Sequence, residues 1–120
     1  MINYDTGEYT NKSTGEHYSV TYMILEYAEG GDLFNYVQST GRFSEKLARH
    51  FFLQILNAIK YSHDKNICHR DLKLENIMLD KDYNIKLIDF GFQATAKGID
   101  GTGFHQTNLG TKGYMAPELV

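Results

Sequence analysis

Apolar and polar positions change rhythm several times along this chain, and each change predicts an element. "YSVTYMILEY" (18–27) is rich in β-branched and aromatic residues and becomes apolar towards its end, which predicts a strand. The stretch before it, "DTGEYTNKSTGEH" (5–17), carries two glycines and few apolar residues and predicts a hairpin loop or an insertion. "AEGGD" (28–32) breaks the strand. A short helix is expected over "LFNYVQST", with Gly41 as its stop. The next helix is better marked. Ser44 is its N-cap, and Glu45 lies in the first turn, where the helix dipole favours an acid. Leu47, Phe51, Phe52, Ile55, Leu56 and Ile59 then form an apolar stripe at helical spacing, expected to be a core face. Short β-type pieces follow at 67–69, 76–79 and 84–88, with Asp80, Lys81 and Asp82 in a turn between the last two. From Asp89 the chain is glycine-rich and polar as far as "YMAPELV". So long a stretch without periodicity predicts a functional loop, a disordered segment, or both.

Composition narrows the picture. A chain of 120 residues holds one domain with a small core, and 42% hydrophobic with 22% charged residues is ordinary for a globular one. The net charge of −3 argues against a nucleic-acid surface, which needs a basic footprint. Cys68 is the single cysteine, so no internal disulfide forms and a zinc site lacks ligands. "MINYDTGEYT" has neither the basic start nor the apolar core of a secretory signal, and no apolar run is long enough to span a bilayer. The expected location is cytoplasmic, with the nucleus as the other compartment, and neither a membrane nor a nucleic acid is expected as a partner.

Four lesser signals carry no function. "DKDYN" begins like a calcium loop, but its sixth position is Ile85 instead of Gly and its twelfth is Gly91 instead of Glu. "GIDGTG" (98–103) does not have the spacing of a phosphate cradle. "NKS" (11–13) is a glycosylation sequon without a route to the secretory pathway. The five histidines are scattered, with no pair at ligand spacing.

The chemistry gathers in "CHRDLKLENIMLD" (68–80). Asp71 and Asn76 stand in a loop between short strands, and Asp89 follows at the end of the next strand. Asn and Asp are hard-oxygen ligands of the kind Mg²⁺ accepts. Asp71 is left to accept a proton, with Lys73 beside it as a cation for developing negative charge. Together these make half of a phosphoryl-transfer site. Any one of them alone is more simply a turn residue. The joint pattern is more specific: His69-Arg70-Asp71-Leu72 with Asn76 matches H-R-D-L-x-x-x-N, Asp89-Phe90-Gly91 matches D-F-G, and Ala116-Pro117-Glu118 matches A-P-E, in that order.

On these motifs the sequence resembles a eukaryotic protein kinase domain over nearly its whole length. The resemblance implies an α+β, kinase-like fold in part. Residues 1–27 would be the last strands of the N-lobe, 28–32 the hinge, and 33–120 the start of the C-lobe, with the catalytic loop at 67–76 and the activation segment at 89–118. It implies ATP and Mg²⁺ as cofactors and a protein Ser/Thr hydroxyl as acceptor. Asp71 would orient that hydroxyl as catalytic base, Lys73 would steady the γ-phosphate, and Asn76 and Asp89 would hold Mg²⁺. Leu25 takes the gatekeeper place, Glu26 and Ala28 would meet adenine through backbone groups, Asp32 would reach the ribose, and Met78 would lie under the adenine. Leu25 and Met78 also read as ordinary core. Asp32 and Glu75 hint at a basic residue upstream of the phosphoacceptor. Thr107 would be phosphorylated by an upstream kinase and pair with Arg70, Thr111 would face Asp71 and Lys73, and Thr95 and Thr102 read as solvated loop. His69 and Phe90 would stack in a column joining the lobes. "DLKLEN" and "GTKGYMAPE" are of the serine/threonine style, similar to calmodulin-dependent and AMP-activated kinases, and Phe92 leans towards serine.

Some parts of the family pattern are not found in these residues. No glycine-rich loop or V-A-I-K lysine precedes the hinge, no partner-glutamate helix fits before residue 18, and no helices follow A-P-E. The expectation is a piece of a serine/threonine kinase with little catalysis as these 120 residues alone, and with an apolar helix face short of cover. The alternative is a truncated, non-catalytic kinase-like binding or decoy module. A metal-dependent hydrolase using Asp71 and Asp89 is a remote third.

Overall fold

In the computed structural model, residues 3–95 and 110–117 are described. Thr102, Thr107, Glu118 and the 98–103 stretch lie outside them. Strand β1 (Asn3–Thr10) pairs antiparallel with β2 (His17–Ile24), from Asn3 opposite Ile24 to Thr10 opposite His17. The polar tract at 5–17 is therefore mostly strand, and only 11–16 is loop. Thr6 lies opposite Thr21 and Tyr9 opposite Tyr18, so β-favouring residues face each other across the ladder and make up for the missing apolar pattern. Asn11 closes the turn: its Oδ1 accepts from the Ser13 amide at 2.9 Å, and its carbonyl accepts from Gly15 N–H at 2.8 Å. β2 is also shorter than expected. The ladder ends at Ile24, opposite the first described residue, and Leu25 to Tyr27 lie beyond it.

A second small sheet carries the site. β3 (Gly31–Asp32) pairs antiparallel with β5 (Ile77–Leu79), and β5 with β6 (Ile85–Leu87), giving the order β3-β5-β6. Helix α1 (Leu33–Thr40) starts where Asp32 Oδ1 accepts from the Asn35 amide at 2.8 Å. It stops at Gly41, whose φ of 74° suits a residue without Cβ. Helix α2 (Glu45–Asp64) begins at Ser44, which accepts from the Leu47 amide, and carries Glu45 in its first turn as its sequence requires. Both helices pack on the sheet, and Leu33, Phe51, Ile77 and Leu79 form the core, with Tyr36, Phe43, Ile55, Leu74, Ile85 and Leu87 against it. A third pairing joins β4 (Ile67–Cys68) to β7 (Ala94–Thr95). Among the described residues no helix is long and apolar enough to cross a membrane.

The α2 stripe is only partly a core face. Phe51 is buried and Ile55 half-buried, but Phe52 is 57% exposed, and Leu47 and Leu56 are exposed as well. Phe51 and Phe52 are one residue apart, so they point about 100° apart around the helix. The sheet covers one direction, and no described residue covers the other.

The 28–32 segment meets β5 at very short range. Gly30 N–H donates to the Leu79 carbonyl at 2.8 Å, and a Cβ at Gly30 would lie 2.8 Å from the carbonyl oxygens of Leu79 and Asp80. Gly31 has φ of 75° with open space around it. Gly30→Ala forces backbone apart and is expected to destabilise by about 1–3 kcal/mol, as overpacking does. Gly31→Ala costs only the left-handed penalty, about 1 kcal/mol. Urea unfolding of both variants should show the larger loss at Gly30, and equal losses would contradict this packing.

Candidate active site

The site is built on the loop that leaves β4 and the tight turn Leu74–Asn76 that enters β5. Arg70 and Asp89 both have left-handed backbone, with φ of 65° and 59°. Non-glycine residues hold that conformation when their surroundings enforce it. Here the enforcing groups are visible. The buried His69 ring receives the Asp71 amide on Nδ1 at 3.2 Å and donates from Nε2 to the Ile88 carbonyl at 2.8 Å. These two partners assign the proton to Nε2. Ile88 N–H in turn donates to the Asn76 carbonyl at 3.0 Å. Both backbone groups of the residue before Asp89 are thus tied to the 67–76 segment. The His69 and Phe90 rings lie 4.5 Å apart on the far side of Asp89.

Asp71 is the centre of the polar cluster, and its side chain is 2% exposed. Oδ2 accepts from Lys73 Nζ at 2.8 Å and from Asn76 Nδ2 at 3.3 Å, and Oδ1 accepts from Thr111 Oγ1 at 2.6 Å. Lys73 also donates to Thr111 Oγ1 at 2.9 Å, which closes a triangle. Asn76 Nδ2 further donates to the Asp71 carbonyl at 2.9 Å. The bond from Lys73 does most to hold the Asp71 carboxyl below its ordinary range. The Thr111 bond comes next, and burial opposes both. Lys73 is pushed upwards, chiefly by its bond to Asp71, with burial opposing and the charges of Asp71, Glu75 and Asp89 adding.

Asn76 commits its amide nitrogen to Asp71, while its Oδ1 has no hydrogen-bond partner among the described residues and is not a buried orphan. Asp89 is exposed, with Oδ1 accepting from the Gly91 amide at 3.2 Å and Oδ2 without a hydrogen-bond partner among the described residues. One amide oxygen and one carboxylate oxygen, both accessible, suit a hard cation that keeps much of its water, as Mg²⁺ does. Among the described residues no group of three or more His, Cys, Asp or Glu is placed to hold a metal. The Asp80 turn is no calcium loop: Asp80 Oδ1 accepts the amides of Asp82 and Asn84, both at 2.9 Å.

The other expected residues are placed as follows. Arg70 donates from Nε to the Phe92 carbonyl at 2.6 Å, tying down the segment after Asp89. Glu75 Oε2 accepts from Tyr114 OH at 3.4 Å. Met78 is half-buried and sits opposite Asp32 in the β3–β5 ladder. Both Asp32 oxygens bond Asn35, to its amide N–H and at 2.6 Å to its side-chain nitrogen, a capping role not anticipated from sequence. Glu26 pairs with Lys86 on β6 at 2.9 Å, and Leu25 is exposed and Ala28 half-buried. The structure gathers Asp71, Lys73, Asn76, Thr111 and, through Ile88, Asp89. Leu25 and Glu26 are not part of that cluster. Sequence reading missed Gln54, whose side chain reaches β6. The available signal was a polar residue on α2 three positions after the buried Phe51, on the covered side.

Comparison with known proteins agrees with this architecture. Residues 10–120 match the protein kinase domain family, and the chain belongs to that family. It is 50% identical over 103 residues to maternal embryonic leucine zipper kinase of Danio rerio, covering 85% of this chain and 15% of that protein. CBL-interacting protein kinase 11 of Oryza sativa subsp. japonica is 45% identical over 102 residues, 85% of this chain and 20% of that protein. CBL-interacting serine/threonine-protein kinase 26 of Arabidopsis thaliana is 42% identical over 99 residues, 82% of this chain and 23% of that protein. The chain thus spans less than a quarter of each of these relatives. The α+β arrangement of small sheets and two helices is part of the kinase fold.

The Asp71–Lys73 pair sets a pH window. Asp71 is lowered on folding, so its contribution to stability is complete above the unfolded value of about 3.9 and is lost as pH falls through the folded one. Lys73 is raised, so its contribution is complete below the unfolded value of about 10.4 and is lost as pH rises through the folded one. The stability of the wild type relative to Asp71→Asn should therefore be flat from about pH 5 to about pH 9 and fall on either side. Urea unfolding across pH tests this, and a slope inside the window would contradict it.

Proposed function

We propose that this domain transfers the γ-phosphoryl group of ATP to a serine or threonine hydroxyl of a protein. The observation that carries the reading is the buried Asp71 carboxylate, bonded at once by Lys73, Asn76 and Thr111. Such a group has a fixed direction and a fixed charge. Oδ1 has a lone pair left beyond the Thr111 bond, and there Asp71 receives the acceptor hydroxyl and turns it towards the phosphorus. A carboxylate held below its ordinary pKa is a weak base, so Asp71 acts mainly by orientation and takes the proton late. Lys73, already beside Asp71, presents its ammonium to charge developing on the transferred group. Asn76 Oδ1 and the Asp89 carboxylate are the oxygens that would hold Mg²⁺, which when bound neutralises phosphate charge. Thr111 keeps Asp71 and Lys73 in register, and its place beside them suits recognition of a serine or threonine acceptor.

The same reading gives the remaining residues their roles. Leu25, Glu26, Ala28 and Met78 bound the adenine side, and Asp32 the ribose side. Asp32 and Glu75 favour a basic residue upstream of the acceptor, and Arg70 is the partner for a phosphate placed on Thr107 by an upstream kinase. The serine/threonine assignment is supported by "DLKLEN" and "GTKGYMAPE" and by the name of the Arabidopsis relative, a serine/threonine-protein kinase.

Asp71→Asn in the full chain tests the proposal. Phosphoryl transfer from Mg-ATP to a basic Ser/Thr peptide is expected to fall by about 10²–10⁴-fold, the usual worth of a positioned acid–base group. Nucleotide affinity should stay within a few fold. Unchanged transfer by this variant would overturn the role given to Asp71.

A further inference from the structure

Strand β6 is held by more than its neighbour β5. In the β5–β6 ladder, Asp80 N–H bonds the Asn84 carbonyl and Ile88 N–H bonds the Asn76 carbonyl. Antiparallel pairs alternate between bonded and non-bonded. Leu79 and Ile85 are therefore a non-bonded pair, and Ile85 N–H points away from β5. Ile85 is half-buried, and even a partly covered amide without a partner is unfavourable. Gln54 supplies the partner: its Oε1 accepts from Ile85 N–H at 3.0 Å. At its other end, Gln54 Nε2 lies 2.8 Å from His50 Nε2. The amide is gripped on both sides, and the need of Ile85 for an acceptor fixes which way it faces. Among the described residues no other α2 side chain hydrogen-bonds to the sheet.

Three residues on from Ile85 comes Ile88, tied to Asn76 and His69, and next to it Asp89. We propose that Gln54 is a positioning residue for the phosphoryl-transfer site, holding Asp89 in place through β6 and Ile88 without touching substrate. This rests on the kinase reading for its consequence but not for its geometry. With the Gln54 bond gone, the start of β6 keeps its ladder on one edge only. Asp89, at the far end, is then less sharply placed against Asn76. A general packing role would lower overall stability and leave every kinetic constant in proportion. A positioning role acts selectively on the Mg-ATP side.

The experiment uses three variants of the full chain. Gln54→Met keeps the volume and removes the acceptor, Gln54→Glu keeps an acceptor at the same reach, and Gln54→Asn keeps the amide but falls short of Ile85. Two readouts are taken: amide hydrogen exchange at Ile85 and Ile88, and the KM for Mg-ATP against the KM for a peptide substrate. Gln54→Met is expected to speed exchange at both amides and raise the Mg-ATP KM by about tenfold, the lower end of the cost of an unsatisfied donor. The peptide KM should be unchanged and Gln54→Glu should restore both readouts. If Gln54→Met does not fold, Gln54→Asn decides on the same readouts. Parallel changes in both KM values, or unchanged exchange at Ile88 in a folded variant lacking the bond, would overturn the proposal. If the wild type transfers no phosphate, the proposed activity is not carried by these 120 residues alone, and membership of the kinase family stands. The positioning inference is then judged by exchange together with Mn²⁺ affinity: selective loss in Gln54→Met and recovery in Gln54→Glu support it, and unchanged values overturn it.

Discussion

The backbone of Ile88 is bonded at both ends to the loop that carries the chemistry, its N–H to the Asn76 carbonyl and its carbonyl to His69 Nε2. The arrangement of the site depends on this clamp. Asp89 follows β6, whereas Asp71 and Asn76 precede β5, so bonds between the two segments fix their relative position. Each such bond contributes about 1 kcal/mol net, but breaking one inside the fold leaves a polar group that costs about 1–3 kcal/mol. His69 does a second task, because its Nδ1 receives the Asp71 amide. One imidazole therefore sets the distance between the two acids, and the left-handed backbone at Arg70 and Asp89 is what lets the chain reach it from both sides.

Electrostatics then acts on a frame already in place. Burying an ion pair gives little stability, since the cost of removing two charges from water offsets most of their attraction. The Asp71–Lys73 pair, with Asp71 almost fully covered and Lys73 about one-fifth exposed, is better explained by pre-organisation. Under the proposed function, charge that would face a developing transition state is oriented before any substrate arrives; Thr111 locks the pair from a segment remote in sequence. Asn76 Oδ1 and Asp89 Oδ2 have no hydrogen-bond partner among the described residues, while Asn76 Nδ2 and Asp89 Oδ1 are bonded within the protein.

Much of this was legible in the sequence, for local reasons. The caps at Ser44 and Gly41 concern side chains and backbone a few residues apart, so the start of α2 and the end of α1 could be read directly, whereas the Asp32 cap of α1 was hidden behind its reading as a binding acid. The family could be read because the spacing of its motifs is itself the constraint. What could not be read is non-local. The β1 strand is polar, and its partner lies across a turn, so its pattern looked like loop. The exposure of Phe52 and Leu56 depends on what covers α2, which a stripe does not report. The Ile88 clamp and the Gln54 tie each end on a backbone group, which every residue has, so a pattern of side chains can at most name one end of the bond.

The central claim is that Asn76 and Asp89, brought together by the Ile88 clamp, form one divalent-cation site beside Asp71. Paramagnetic broadening tests it most directly, with Mn²⁺ titrated into isotope-labelled full chain in the presence of ATP. The Asn76 side-chain amide and the backbone amides of Asp89 to Gly91 should broaden first and together. Broadening centred on the Asp80–Asn84 turn, or at Asp89 without Asn76, would contradict the account.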